Sequence, residues 1–256
     1  MNIPTRWCEQ FEGASVERQA IGESRADVFR IRKSDGKDLF LKSEVIGAVS
    51  ELPDEIERLR WLDRLGLPCP VVIDTTTEDG RHLLLMSAVP GHDLAGATGL
   101  SPSQIICIAV KALRSLHQVP LEKCPFDHRL EQRIAAAKIR VSSGLVDEEN
   151  FDDERLGRSA HDVLNELLST LPKTQDLVVV HGDACLPNIM AEAERFTGFI
   201  DVGRLGISDR FQDLALAASS IERNLGMQWV APFFREYGVK PDEERLSFYR
   251  LLDEFF

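Results

Sequence analysis

With 256 residues, 43% of them apolar and 28% charged, the chain has room for one large domain or two smaller ones and the balance of a globular protein that buries a core. Asp and Glu number 42 against 30 Lys and Arg, a net charge of −12, which argues against non-specific nucleic-acid binding and against an anionic membrane surface while favouring a cationic small partner. The five cysteines, Cys8, Cys69, Cys107, Cys124 and Cys185, are scattered without a C-x-x-C pair, which speaks against a disulfide framework or a zinc knuckle and for a reducing compartment.

The N-terminal residues through Gln10 lack a basic segment followed by an apolar one, and no apolar run approaches the length of a membrane span. The expectation is a cytoplasmic protein with an intact N-terminus, a monomer or weak homodimer, with no membrane or nucleic-acid partner. Val28–Arg32 and Asp38–Lys42 flank Ser34-Asp35-Gly36-Lys37, a hairpin signal in which Asp-Gly permits positive φ. Pro53-Asp54-Glu55 opens a helix with Ile56, Leu59, Leu62 and Leu65 at helical spacing, ending at Gly66. Two further strands follow, at Val71–Ile73 and His82–Met86, and composition changes near Val89-Pro90-Gly91.

These elements predict an N-terminal lobe over 1–89 and a second lobe over 90–256 that is mostly helical. Ser101-Pro102-Ser103-Gln104 forms a capping box ahead of Ile105, Ala109, Leu113 and Leu116. Further helices are predicted over Phe126–Val141 and Ser159–Leu171, with an acidic loop over Val146–Arg155 between them. The β-branched run Leu177–Val180 is a buried strand. Short strands are expected at Asn188–Ala191 and Thr197–Ile200, and three helices close the chain, the last from Pro241.

At the end of the buried strand stands His181-Gly182-Asp183-Ala184-Cys185-Leu186-Pro187-Asn188, with Ile200-Asp201 further on. An aspartate, an asparagine five residues later and a second aspartate after a hairpin are the spacing of a kinase site, where they orient the acceptor hydroxyl and hold Mg²⁺ against the phosphates. A triphosphate repels an incoming nucleophile until its charge is neutralised, and Mg²⁺ prefers carboxylate and amide oxygens. Asp183 is a weak base at neutral pH, so its main role in this reading is to place the hydroxyl in line. Taken alone, His-Gly-Asp is a turn motif, and alternate metal ligation by His181, Asp183 and Cys185 lacks a further His or Cys cluster.

Lys42, on a strand, and Glu55, on one helical face with Leu59 and Leu62, are candidates for the cation on the nucleotide phosphates and its carboxylate partner. Their bland reading is a surface lysine and a first-turn acid that complements the helix dipole. The segment Ile21–Asp27 has one glycine and no G-x-G-x-x-G, so phosphate contact there would fall to backbone N–H groups and Ser24.

The strings HGDACLPNIM (181–190), IDVGRLG (200–206), DRFQDLALA (209–217) and YRLLDEFF (249–256) resemble the aminoglycoside 3′-phosphotransferases, and the likeness runs over nearly the whole chain. The resemblance implies an α+β, protein-kinase-like, two-lobed fold, with an antiparallel sheet and one helix in the N-terminal lobe. It implies ATP and Mg²⁺, and transfer to the 3′-hydroxyl of kanamycin- and neomycin-type drugs. By the same resemblance Asp183 is the catalytic aspartate, Asn188 and Asp201 are the metal ligands, and Lys42 and Glu55 are the phosphate-side ion pair. Ser24 becomes a nucleotide-loop contact, and Met86–Val89, with Ser87 and Val89, the adenine-binding hinge. The antibiotic would lie against Asp152, Asp153, Arg204, Glu254 and the α-carboxylate of Phe256. One departure falls at Ser219-Ser220, where a charged pair is usual, so an acidic substrate contact at Ser220 is expected to be missing. Kinases of choline, homoserine or methylthioribose, and a non-catalytic nucleotide-binding protein, are the alternatives.

Overall fold

The computed structural model describes residues 4–11, 13–19 and 26–256. They form two compact units, Met1–Gly91 with Thr197–Gly203, and His92–Phe196 with Arg204–Phe256.

In the first unit a 3-10 helix at Thr5–Phe11 leads into β1 (Ser15–Gln19), β2 (Asp27–Arg32) and β3 (Leu39–Val45), followed by α1 (Leu52–Leu65), β4 (Val72–Glu78) and β5 (Arg81–Ser87). The strands make an antiparallel sheet in the order β1-β2-β3-β5-β4. Strand alternation sends Leu39 and Leu41 into a cluster with Ile31, Leu83, Leu85, Trp7 and Phe11. Lys42, one residue on, therefore faces the other way.

That opposite face of β3 positions the helix. The buried Glu44 carboxylate accepts from the N–H groups of Glu51 and Leu52, both at 2.9 Å, and so caps an α1 N-terminus whose own N-cap side chain makes no capping bond. Gly66 ends the helix with φ 71°, the left-handed conformation expected of a C-terminal glycine. The stripe that α1 buries includes Leu52, Glu55, Leu59 and Leu62, so Glu55 is carried inward among leucines. Residues 197–203 join this unit through Phe199, whose N–H donates to Pro68 O at 3.0 Å, and Thr197, whose hydroxyl donates to Pro90 O at 2.7 Å. A Cβ on Gly198 would stand 3.0 Å from Val89 Cγ1 and 3.1 Å from Pro68 O, so the close approach needs a glycine.

The second unit begins with β6 (His92–Asp93) and α2 (Pro102–His117), whose Ser101–Gln104 capping box is formed as expected. α3 (Leu130–Ser142), α4 (Ala160–Ser169) and β7 (Leu177–Val180) follow, then β8 (Ile189–Glu192) and β9 (Arg195–Phe199), along which the chain passes into residues 197–203. β10 (Gly206–Asp209), α5 (Arg210–Leu225), α6 (Val230–Tyr237) and α7 (Glu243–Asp253) complete the unit. β6 pairs antiparallel with β8, and β7 with β10. No described helix is long and apolar enough to cross a membrane.

The helix predicted from Phe126 begins only at Leu130. Residues 126–128 are drawn alongside β10 instead: Ile207 N–H donates to Phe126 O at 2.8 Å and His128 N–H to Ile207 O at 3.0 Å. Gly206 permits this, because a Cβ there would lie 2.8 Å from His128 Cβ and 2.9 Å from Phe126 O. Helical periodicity registers the side chains of 126–128 but not this non-local competitor for their backbone groups. Gly206→Val should therefore destabilise the protein by about 1–3 kcal/mol through overpacking, read as a lower urea midpoint at unchanged m-value; an unaltered midpoint would contradict the close approach.

Candidate active site

In the first unit Lys42 Nζ donates to both carboxylate oxygens of Glu55, at 2.8 and 3.0 Å, and to Asp201 Oδ1. Burial alone would push the Lys42 ammonium down, but the carboxylates of Asp201 and Glu55 more than reverse this and hold it above its ordinary range. Two anions around one buried cation leave negative charge at its edge, on Asp201, whose side chain is 42% exposed. Asp201 has φ 54°, left-handed backbone that costs a non-glycine residue about 1–3 kcal/mol and is common at functional sites. Of the predicted hinge, Ser87 N–H donates to Val71 O, its hydroxyl accepts from Val71 N–H, and Ala88 N–H donates to Asp38 O. The N–H and hydroxyl of Ser87 are thus engaged in joining β5 to the chain before β4, while Val89 packs on Gly198. Ser24 lies outside the described residues.

In the second unit β7 ends at a tightly determined loop. Gly182 has φ 86°, and a Cβ there would fall 2.1 Å from Arg204 O, so no other residue fits without backbone movement. Its N–H donates to Asp213 Oδ1 at 2.9 Å and its carbonyl accepts from Gln212 Nε2 at 3.1 Å, while His181 N–H donates to Asp213 Oδ2 at 2.7 Å. Asp183 follows immediately. Asn188 Nδ2 donates to Asp183 O at 3.0 Å and to Asp183 Oδ2 at 2.8 Å, joining two predicted site residues and leaving its amide oxygen turned from that pair. Leu186 N–H donates to the Ser220 hydroxyl at 2.9 Å. Ser220 is 5% exposed and pins this loop to α5, its side chain facing the loop backbone.

A second group of predicted residues gathers around the end of α7. Arg204 donates to Asp253 Oδ1 at 3.2 Å and to Phe256 O at 2.7 Å, and Arg140 donates to Phe255 O. The Arg133 guanidinium stacks 3.4 Å from the centroid of the Phe256 ring. Glu254 accepts from Asp152 N–H and from the buried Arg155, both at 3.2 Å. Arg204, Glu254 and Phe256 are thus brought together, with the exposed Asp152 attached through its backbone; the Asp153 side chain stands exposed and joins none of these bonds. The acidic loop also has a structural role that spacing did not reveal, since Glu148 accepts from Ala160 N–H at the start of α4.

Asp253, Arg133, His117 and Asp213 were missed as individual contributors. Asp213 and Asp253 lie inside the strings 209–217 and 249–256, whereas Arg133 and His117 belong to no motif. Burial pushes the Asp253 carboxyl up to about 6, with Arg204 opposing and Asp183 and Asp152 adding to the rise. Because its folded value exceeds the ordinary 3.8, Asp253 favours the folded state most below that value, and this contribution is lost as pH rises through about 6. The melting temperature of the parent should therefore improve relative to Asp253→Asn as pH falls from about 7.5 to about 5. A pH-independent difference between the two would remove this assignment.

The sequence matches the phosphotransferase enzyme family over residues 17–249. It is 40% identical over 216 residues to an aminoglycoside 3′-phosphotransferase of Streptomyces fradiae, covering 80% of each chain. The fold superposes on the crystal structure of an aminoglycoside-3′-phosphotransferase of type VIII with a TM-score of 0.88 at 37% identity, covering 98% of this chain and 97% of the other. An aminoglycoside phosphotransferase of Streptomyces rimosus, solved in complex with ADP and streptomycin, gives a TM-score of 0.81 at 29% identity, with coverage of 98% and 96%. An antiparallel sheet with one α-helix in the first unit and a mostly helical second unit agree with the kinase-like class expected from the sequence. The chain belongs to the phosphotransferase enzyme family.

Proposed function

We propose that this enzyme transfers the γ-phosphate of ATP to the 3′-hydroxyl of kanamycin- and neomycin-type aminoglycosides, a reaction that confers resistance to them. The observation that carries the reading is the loop after β7, where Asp183 is held by Asn188 at 2.8 Å and stands next to a glycine whose N–H and carbonyl are both bonded to α5. Phosphoryl transfer asks little covalent chemistry of a protein and much positioning, and a carboxylate on an over-determined loop supplies it. In this reading Asp183 orients the acceptor hydroxyl and takes its proton late. The names of the relatives, with the ADP and streptomycin complex among the neighbours, support a nucleotide and an aminoglycoside as the two substrates.

Lys42, fixed by Glu55, is assigned to the nucleotide phosphates, Ser24 to the loop over them, and Ser87 and Val89 to the adenine. With Ser87 N–H already bonded to Val71, adenine recognition at that residue would use its carbonyl. Asn188 and Asp201 are assigned to Mg²⁺; an amide oxygen not engaged with Asp183 and a partly exposed carboxylate are the hard oxygen donors that this ion takes, usually alongside substrate phosphates. Bound there, Mg²⁺ would neutralise phosphate charge. The drug is assigned to Asp152, Asp153, Arg204, Glu254 and Phe256, with nucleotide-binding and drug-binding lobes over 1–89 and 90–256. A polycationic ligand suits this acidic group, and Asp253 adds a further carboxylate. Each half-exposed pair contributes only about 0.2–1 kcal/mol, so micromolar affinity needs many such contacts at once. We further assign the enzyme to the cytoplasm, as a monomer or weak homodimer.

Asp183→Asn should lower kcat with kanamycin by roughly 10²–10⁴-fold while leaving ADP affinity near that of the parent, measured by a coupled ADP-release assay and by calorimetry. Turnover close to the parent would discard the role of Asp183. Phosphorus NMR of the product should place the phosphate on the 3′-oxygen, and a panel in which choline, homoserine or methylthioribose is phosphorylated and no aminoglycoside is would overturn the substrate. Deleting Phe256, whose ring and oxygen are held by Arg133 and Arg204, should raise KM for kanamycin more than KM for ATP; equal rises would mark a folding defect instead.

A further inference from the structure

The Asp213 carboxylate has no solvent exposure and accepts three N–H groups: two belong to the backbone of residues 181 and 182, and the third is Nε2 of His117, at 2.9 Å. His117 is the last residue of α2, distant in sequence from both α5 and the loop. Its other ring nitrogen, Nδ1, lies 2.7 Å from the hydroxyl of Tyr237, the last residue of α6. Arg210 Nη1 donates to that hydroxyl at 3.3 Å, and Arg114 fixes the far side of Tyr237 by donating to its carbonyl at 2.6 Å. With Arg210 donating to the phenol oxygen and Asp213 accepting at Nε2, the Tyr237 proton is directed at Nδ1, which sets the tautomer of the ring. Burial pushes the Tyr237 phenol up, so that proton is retained at neutral pH.

These bonds run in one direction, Arg210 to Tyr237 to His117 to Asp213, and end on an oxygen that also holds the N–H of His181. We propose that His117, oriented by Tyr237, is a positioning residue for phosphoryl transfer: it fixes the Asp213 carboxylate so that residues 181 and 182 hold Asp183 in place. Without the imidazole, Oδ2 loses one of its two donors in a water-excluded place, and the carboxylate is free to turn about its last torsion angle. The Gly182 bond to Oδ1 turns with it, and Asp183 is the next residue. His117 touches neither substrate in this account and acts only through Asp213. The role in catalysis rests on the assignment of Asp183 above, whereas the effect on the loop does not.

Two readouts on the full-length enzyme test it together. In His117→Leu, kcat with kanamycin and ATP should fall roughly 10- to 100-fold, with both KM values within about twofold of the parent, as expected for misplacement without lost binding. Amide hydrogen exchange at residues 181 and 182 should become roughly tenfold faster, while amides in β10 and the middle of α7 keep their protection. His117→Gln, which retains a donor near the Nε2 position and an acceptor for Tyr237, should recover most of the turnover. Tyr237→Phe should show both changes at smaller size, and it decides the matter alone should His117→Leu not fold. If either readout stays at the parental value in the folded variants, or if exchange accelerates throughout the second unit and both KM values rise with the fall in kcat, the positioning role is overturned. A parent that turns over no aminoglycoside would refute the proposed substrate instead, and exchange at 181 and 182 would still accept or reject the coupling between His117 and the loop.

Discussion

A carboxylate with no access to water must be met by enough donors to replace its hydration, and the second unit is organised around one such group. Asp213 meets the requirement with two main-chain N–H groups and one imidazole, all within 2.9 Å. Because two of these donors belong to the chain just before Asp183, the same bonds that make the buried charge tolerable also dictate the path of the loop. Gln212 takes the Gly182 carbonyl from the neighbouring position on α5, and Ser220, two turns further along, receives Leu186 N–H. One helix thus satisfies the loop from end to end, which is why Gly182 can adopt φ 86° under Arg204 at no risk of alternatives.

The first unit meets the converse problem. Lys42 is a buried cation, and Glu55 and Asp201 neutralise it from a helix and from the segment 197–203. The backbone prepares both: strand alternation turns Lys42 away from the apolar cluster, and Glu44, two residues on and on the same face, caps the helix that carries Glu55. Two carboxylates around a single ammonium exceed what neutrality requires, which fits the metal-binding role proposed above for Asp201.

Near the end of the chain, cations support what reads in sequence as an acidic pocket. Arg133, Arg140 and Arg204 surround Phe256, and Arg155 underlies Glu254, so the carboxylates stand on a layer of guanidinium groups. The arrangement offsets repulsion among Asp152, Asp183 and Asp253, which is still strong enough, together with burial, to keep Asp253 only partly ionised near pH 6. A ligand rich in ammonium groups would complete the balance.

Much of this was legible in one dimension. Alternation along 38–42, the leucine stripe with Glu55, Pro53 and Gly66 at the ends of α1 and the Ser101 capping box are local rules written in local residues, and the structure follows each of them. The spacing of Asp183, Asn188 and Asp201 gave the reaction class because metal-assisted phosphoryl transfer constrains residue type and separation more than it constrains the surrounding fold. What sequence could not supply were the partners drawn from far along the chain: residues 126–128 leaving a helix to pair with β10, 197–203 packing with the first unit, Ser220 turned onto a loop amide, and a histidine at the end of α2 meeting a carboxylate on α5. Those outcomes depend on which of several competing donors and acceptors is nearest once the core has closed, and that distance exists only in the folded chain.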